Sequence, residues 1–481
     1  MISHCLFKSV SRFFQQPRLL YSTERSYRIC IVGSGPAGFY VAQQLLKDER
    51  VHVDILERLP VPFGLVRYGV APDHSDVKNV DNTFTKVAQN PRFRFFGNVS
   101  FGDDVSYSML KTLYSGVVLA YGAASARNLN IPGENLDNVI SGKDFVGYYN
   151  GLPQNKDLPL DLTSSDTAVI VGVGNVALDI ARILLSPLKD LKKTDISEEA
   201  LDKIANSKIK RVLVVGRRGP LQVSFTIKEL REMLHLEGVR PEFSNLEYYS
   251  RVSSAIQELK RPKKRLVELL VKSALQEVPT DKQGALWSKK SNKSWNLKLL
   301  RSPFKIHAEE GNSSPSGISF KVNTLLGDQI NEGQKIQETE DVEFIESGLI
   351  ITSVGYKSIA PPEGSNIPFD QTKGIIPNKN GKVNDDGLYV SGWLGTGPKG
   401  VIADTMTESH KVGRTIMHDI NSGLLPSNGD TYEDLTSILR QHSVTTWADW
   451  EKIDTYEKSL SSEKPRCKLT TISSMMKAVK K

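Results

Sequence analysis

From Tyr27 the chain runs through a mostly apolar stretch, "YRICIVG", into a segment whose apolar residues recur every three or four positions, "FYVAQQLLK". A second apolar run, "VHVDILER", follows. A short β-branched run that ends in glycine is the pattern of a buried strand, and the later recurrence is that of a helix. Strand, helix and strand in that order predict a parallel pair joined by a crossover. The same order returns at "DTAVIVGVGNVALDIARILL", although its second strand, "RVLVVG", is delayed by the charged stretch "KDLKKTDISEEALDKIANSKIK", which reads as an inserted exposed helix and loop. Near the other end, "DDGLYVSGWLGTGPKGVIADTMTESHKVGRTI" reads as a strand, a glycine-dense turn and a helix beginning near Gly400 and Val401. A chain of 481 residues exceeds what one hydrophobic core usually supports, so two or more domains are expected.

Where each strand meets its helix, the turn is rich in glycine. The first turn is Gly33-x-Gly35-x-x-Gly38. Gly33 permits the tight turn, Gly35 lets backbone approach a pyrophosphate, and Gly38 lets helix pack closely on strand, while the helix N-terminus supplies free amides and positive dipole. Glu57 ends the next strand about 20 residues on, where a carboxylate accepts hydrogen bonds from a ribose diol. The second turn is Gly172-x-Gly174-x-x-Ala177, and the strand that follows it ends in Arg217 and Arg218 instead of an acid. Two adjacent guanidinium groups there suit the adenosine 2′-phosphate, which a carboxylate would repel, so the second nucleotide is expected to be NADP. The first motif by itself does not separate FAD from NAD, because both carry the ADP half that it binds. The far turn around Trp393 favours FAD: glycines let amides come close to a planar ring, and a helix start stabilises negative charge on a reduced flavin. The expected fold is therefore α/β, with two Rossmann-like dinucleotide-binding domains. The FAD-binding domain is discontinuous, 27–125 and 352–481, and the NADP-binding domain, 126–351, is inserted into it.

Composition narrows the function. Charged residues make up 24% and hydrophobic ones 39%, and no apolar run reaches the roughly 18 residues of a membrane-spanning helix. Cys5, Cys30 and Cys467 are too few and too scattered for a disulfide framework, a cysteine zinc site, an iron–sulfur cluster or a Cys-x-x-Cys redox pair. Residues 1–26 carry Lys8, Arg12, Arg18 and Arg25 against the single acid Glu24, and read as a mitochondrial presequence. Three of the seven net positive charges belong to that segment. The remainder is too mild an excess for a nucleic-acid-binding protein.

The stretches "VPFGLVRYGVAPDH", "GNVALDIARILL", "VGRRGPLQVSFTIKELREM" and "GWLGTGPKGVI" closely resemble the adrenodoxin/ferredoxin reductase family. The likeness spans nearly everything after the presequence. More distantly the paired domains look like the small-subunit type of glutamate synthase, an NADPH-dependent electron-transfer flavoprotein and the alternative reading. The resemblance implies a glutathione-reductase-like pair of domains and hydride transfer from NADPH to FAD. One-electron transfers to a [2Fe-2S] ferredoxin would follow, in the mitochondrial matrix, serving cytochrome P450 chemistry, iron–sulfur cluster assembly or both. Carried over by position, Ala37, Glu57, Leu65, Val99, Trp393 and Gly400, Val401 and Ile402 would contact FAD. Gly174, Asn175, Val176, Arg217, Arg218 and Glu229 would contact NADP(H), with Gly400 near both. From chemistry alone Asn175 and Glu229 also fit a helix start and a helical ion pair, and Leu65 and Val99 fit an ordinary core.

Hydride transfer between two bound rings needs no side-chain nucleophile. His74 and Asp179 lie in the matching stretches and are the candidates for proton-holding or hydrogen-bonding roles beside the flavin, although His74 also fits a turn and Asp179 also fits a helix N-terminal turn. With no cysteine pair to take both electrons, a one-electron acceptor is implied. The acceptors of this family are acidic, adrenodoxin-like ferredoxins, so a basic surface should dock them. The cluster "KRPKKRLVELL" supplies one: Arg261 and Arg265, four apart at a helix start, join Arg231 as docking candidates. Peripheral contact with the inner membrane is left open.

Overall fold

The computed structural model describes residues 26–275, 291–327, 330–427 and 434–480. The presequence expected over 1–26 therefore lies, but for its last residue, outside the described residues.

The two sets of strands form two separate parallel sheets. The first has five strands in the order Leu388–Val390, Gly116–Leu119, Tyr27–Val32, Val51–Glu57 and Phe93–Gly97. Tyr27–Val32 is central, with Ile31 paired against Ile55 on one side and Val118 on the other. A strand covered on both faces must be apolar throughout, and Ile29, Cys30 and Ile31 are each fully buried. The edge strand Leu388–Val390 comes from the far end of the chain, so residues hundreds of positions apart complete one sheet. Its helix, Ile402–Asn421, lies on the helix Pro36–Leu45: His410 Nε2 is 3.0 Å from Gln43 Oε1, and Gly413 leaves room for Gln44.

The second sheet has six parallel strands in the order Val139–Ser141, Leu349–Thr352, Thr167–Val171, Arg211–Val215, Lys293–Lys298 and Val239–Phe243. Its core is the largest in the molecule and contains the fully buried Trp295, Tyr149 and Tyr249. Ser125–Ala126 and Tyr356–Lys357 pair antiparallel where the chain leaves the first sheet and returns to it.

Three features differ from the sequence reading. An antiparallel sheet of three strands, Arg301–Ala308, Pro315–Leu325 and Ile336–Glu346, covers one face of the second parallel sheet. Ile306, Ile318, Phe320 and Ile345 pack on Val169, Val171, Leu213 and Val215. Its outer strand alternates with acidic residues and carries little periodic signal of burial. The charged insertion forms the helices Leu188–Leu191 and Glu198–Ala205, but it is not simply exposed: Leu191, Asp195, Ile196, Leu201 and Ile204 are buried. Finally, Arg261 and Arg265 share no helical face. The helix spans Lys263–Ala274, so Arg261 precedes it while Arg265 lies within its first turn. Both side chains are exposed, as is that of Arg231.

Candidate dinucleotide sites

The first glycine turn closes against its surroundings on one side and is open on the other. A Cβ at Gly38 would lie 2.1 Å from the carbonyl oxygen of Gly33, so helix and strand approach here only without a side chain. A Cβ at Gly35 would meet nothing within 4 Å, which leaves the turn's outer face free for a phosphate. The helix Pro36–Leu45 begins there, and the amides of its first turn, Ala37 and Gly38 among them, have no intrahelical acceptor. Glu57 faces the same turn. Its Oε2 accepts from Ser34 Oγ at 2.7 Å and from Ser34 N at 3.2 Å, and its Oε1 accepts from Leu59 N at 3.1 Å. Ser34, buried between the two glycines, is a member of this site that the glycine pattern does not single out.

The far turn meets the near one. A Cβ on Gly392 would lie 2.6 Å from Cβ of Ala37, so the turn before Trp393 packs directly on the first helix. Trp393 opens a short helix and its ring lies 6.0 Å from that of Tyr356. Val401 precedes Ile402, the first residue of the 20-residue helix. A cavity of about 310 Å³ is lined there by Gly392, Trp393, Thr396, Lys399, Gly400 and Asp404, among others. Val99 is buried and donates its amide to the Glu57 carbonyl at 2.9 Å. Leu65 is not the core residue its chemistry suggests: it is 41% exposed, just after Gly64, whose Cβ would lie 3.1 Å from Gly35 Cα. An open crevice, a phosphate-ready helix start, a ribose-ready carboxylate and a ring-sized cavity thus fit FAD.

The second turn repeats the geometry with the charge inverted. A Cβ at Gly172, whose φ is +138°, would meet the Ser353 carbonyl oxygen at 2.1 Å. Gly174 precedes the helix Asn175–Leu185, whose second residue is Val176. Asn175 Oδ1 accepts from Thr226 N at 2.8 Å, and Thr226 Oγ1 bonds to Glu229, so these residues form one cluster that caps the helix Ile227–Leu234. Arg217 and Arg218 follow the strand Arg211–Val215 with exposed side chains. Neither guanidinium is paired with a carboxylate among the described residues, whereas Lys298 and Arg301 beside the turn both pair with Glu343.

His74 and Asp179 belong to one charge cluster, linked through Glu232 and Arg182. His74 Nε2 lies 2.8 Å from Glu232 Oε2, which is 3.1 Å from Arg182 Nη1; Arg182 also pairs with Asp179 at 2.8 Å and Asp73 at 2.6 Å. His74 therefore does more than close a turn, and Asp179 pairs within its helix instead of complementing the N-terminus. Burial raises the Asp179 carboxyl above its usual pKa, although the Arg182 guanidinium pulls the other way. For Glu232, burial is outweighed by the hydrogen bond from His74 and the charge of Arg182, and its pKa is lowered. Glu232 and Arg182 were not singled out in the sequence, where both sit among ordinary helical charges.

The family model for pyridine nucleotide-disulphide oxidoreductases matches residues 27–240. Over 480 residues the chain is 47% identical to the mitochondrial NADPH:adrenodoxin oxidoreductase of Salvelinus fontinalis, covering 98% of this chain and 95% of that one. Identity to the Homo sapiens protein of the same name is 47% over 463 residues, covering 94% and 92%. With that of Arabidopsis thaliana it is 40% over 488 residues, covering 98% of each. The structure of Mycobacterium tuberculosis FprA in complex with NADPH superposes with a TM-score of 0.86 at 36% identity, over 95% of this chain and 100% of that one.

Proposed function

The chain belongs to the family of mitochondrial NADPH:adrenodoxin oxidoreductases, and on that premise we propose that it oxidises NADPH through FAD and reduces an acidic [2Fe-2S] ferredoxin in the mitochondrial matrix. It is an NADPH-dependent flavoprotein oxidoreductase. The observation that carries the reading is the pair of similar glycine turns with opposite charge at the strand that follows each: Glu57 held toward a ribose, Arg217 and Arg218 left unpaired for a 2′-phosphate.

In this reading 27–125 and 352–481 hold FAD, and 126–351 holds NADP(H). When bound, FAD supplies hydride acceptance from NADPH and release of the electrons one at a time. The residues of the chain do the rest. Amides at Ala37 and Gly38, with Gly33 and Gly35, receive the flavin nucleotide's pyrophosphate; Gly174, Asn175 and Val176 receive that of the coenzyme, with Glu229 fixing the Thr226 side chain beside them. Trp393 and Gly400 line the cavity, Val401 and Ile402 begin the helix beside it, and together they limit the access of water to a bound ring. His74 Nε2 is hydrogen-bonded to Glu232 Oε2, and burial raises the Asp179 carboxyl against the pull of Arg182, so both are placed for hydrogen-bonding roles near the flavin. Arg231, Arg261 and Arg265 form the exposed basic surface for the ferredoxin.

The test is an anaerobic NADPH titration of the purified protein followed by absorbance, with an adrenodoxin-like ferredoxin and cytochrome c then added. The expected outcome is a yellow protein bleached by NADPH that reduces cytochrome c only when the ferredoxin is present. Reversing Arg261 and Arg265 to Glu should slow that step and spare reduction of a small dye. A colourless protein, or equal loss with ferredoxin and dye, refutes the flavin or the docking assignment respectively.

A further inference from the structure

The turn that carries Arg217 and Arg218 is tied down at every residue. Gly216 donates its amide to the Lys298 carbonyl at 2.9 Å and accepts from Arg301 N at 2.9 Å. The Arg217 carbonyl accepts from Asn323 Nδ2 at 2.7 Å, and the Arg218 carbonyl from Leu300 N at 3.3 Å. Gly219 N donates to Gln222 Oε1 at 3.1 Å, and Gln222 Nε2 donates in turn to the carbonyls of Asn331 and Glu332. Most of these partners belong to the antiparallel sheet or to the segments leading into it. A βαβ nucleotide fold does not call for that sheet.

Asn323 is the least expected member. It lies on the middle antiparallel strand and is 1% exposed. Burying an amide is costly unless its bonds are made. Its Nδ2 also donates to Ser302 Oγ at 2.9 Å, while its Oδ1 has no partner among the described residues. Its own amide bonds to the carbonyl of Leu300, a fully buried leucine with φ of +60°. A leucine takes that conformation only where its surroundings over-determine it. Two adjacent guanidinium groups repel, and on a loose turn they would separate and point into solvent. Here the backbone beneath them is fixed while the side chains stay free.

We propose that Asn323 is a specificity-determining positioning residue: by holding the Arg217 carbonyl it presets both guanidinium groups for the 2′-phosphate, so that NADPH is preferred over NADH. The antiparallel sheet is thus the mount of the coenzyme selector. This rests on the assignment of Arg217 and Arg218 to that phosphate.

The test uses the flavin-loaded enzyme with a small one-electron dye as acceptor. In Asn323→Asp the shape is kept and the donor to Arg217 is lost. KM for NADPH should rise about tenfold, the scale of one hydrogen bond, with KM for NADH within twofold and kcat unchanged for both. Inhibition by 2′,5′-ADP should weaken in parallel and inhibition by 5′-AMP should not. Asn323→Ser, which retains a donor, should recover part of the loss. Gln222→Ala, at the other end of the turn, should shift the same ratio about threefold, and it decides the question if the Asn323 variants do not fold. Equal changes for NADPH and NADH, or none, overturn the proposal. Arg217→Ala is run alongside. If it leaves the NADPH to NADH ratio unchanged, the phosphate assignment itself fails; if it shifts the ratio and Asn323→Asp does not, only the mounting role fails.

Discussion

The two glycine turns solve one steric problem and opposite electrostatic ones. Each brings a helix start close to a strand end, with no side chain at Gly38 in the first and only the methyl of Ala177 in the second. At the first, the carboxylate of Glu57 already accepts hydrogen bonds from Ser34 and Leu59, so its direction is set by neighbours in its own turn. At the second, Arg217 and Arg218 have no carboxylate partner among the described residues, and it is the backbone carbonyls beneath them that are held, by Asn323 and Leu300. An acid can be oriented by nearby amides, which every turn has in surplus; a cation needs carbonyls or carboxylates, and a carboxylate there would neutralise the charge that the phosphate requires.

The sharpest way to break this comparison is at the third position of each motif. Gly38→Ala drives a methyl to 2.1 Å from Gly33 O and should yield protein without visible flavin absorbance. Ala177→Gly, where the methyl is already buried, should cost about 1 kcal/mol, read as a melting shift of a few degrees. Retained colour in Gly38→Ala would show that the first turn accommodates a methyl as the second does.

Next in size is a change remote from both turns. Asp195 binds Lys78 of the first domain at 2.5 Å and Lys468 of the C-terminal arm at 3.0 Å, which joins the two halves. Burial by itself would raise the Asp195 carboxyl, but the ammonium charges of Lys468 and Lys78 more than reverse this and hold it well below the usual carboxylate range. Its stabilisation is therefore complete above the unfolded pKa near 4 and fades as pH falls below that value. Asp195→Asn should cost about 3 kcal/mol at pH 7. The melting difference from wild type should narrow on going from pH 5 toward pH 3; a constant difference would remove the ion-pair explanation.

Charge reversal at both arginines, Arg217→Glu with Arg218→Glu, should raise KM for NADPH about 100-fold, close to 3 kcal/mol, and leave KM for NADH within about threefold. The smallest effect is expected from Glu57→Gln, which keeps an acceptor for ribose but weakens the bonds from Ser34. Flavin affinity should fall about tenfold, measured by release of FAD on dilution.

Much of the site was legible because its signals are local. Gly33 to Gly38, Gly172 to Ala177 and the charges at 57, 217 and 218 sit at fixed offsets from apolar runs, and those offsets are set by strand and helix geometry. Glu229 also had a local signal, since Thr226 three residues before it makes a capping pair. Asn323, Glu232, Asp195 and Ser34 had none. Each acts on a partner far along the chain or on a turn whose pattern names only glycines. The shared face expected of Arg261 and Arg265 fails for a related reason: spacing of four implies a common face only inside a helix, and the helix begins at Lys263.

The sequence by itself determined the α/β class, the two nucleotide turns and the sign of charge beside each, because hydrogen-bonding and steric rules over a few residues leave little choice there. Only the tertiary structure decided that an antiparallel sheet grips the Arg217 turn, that Gly392 seats on Ala37, and that His74 faces Glu232. Those contacts join segments tens to hundreds of residues apart, and no local period encodes which of many compatible surfaces will meet.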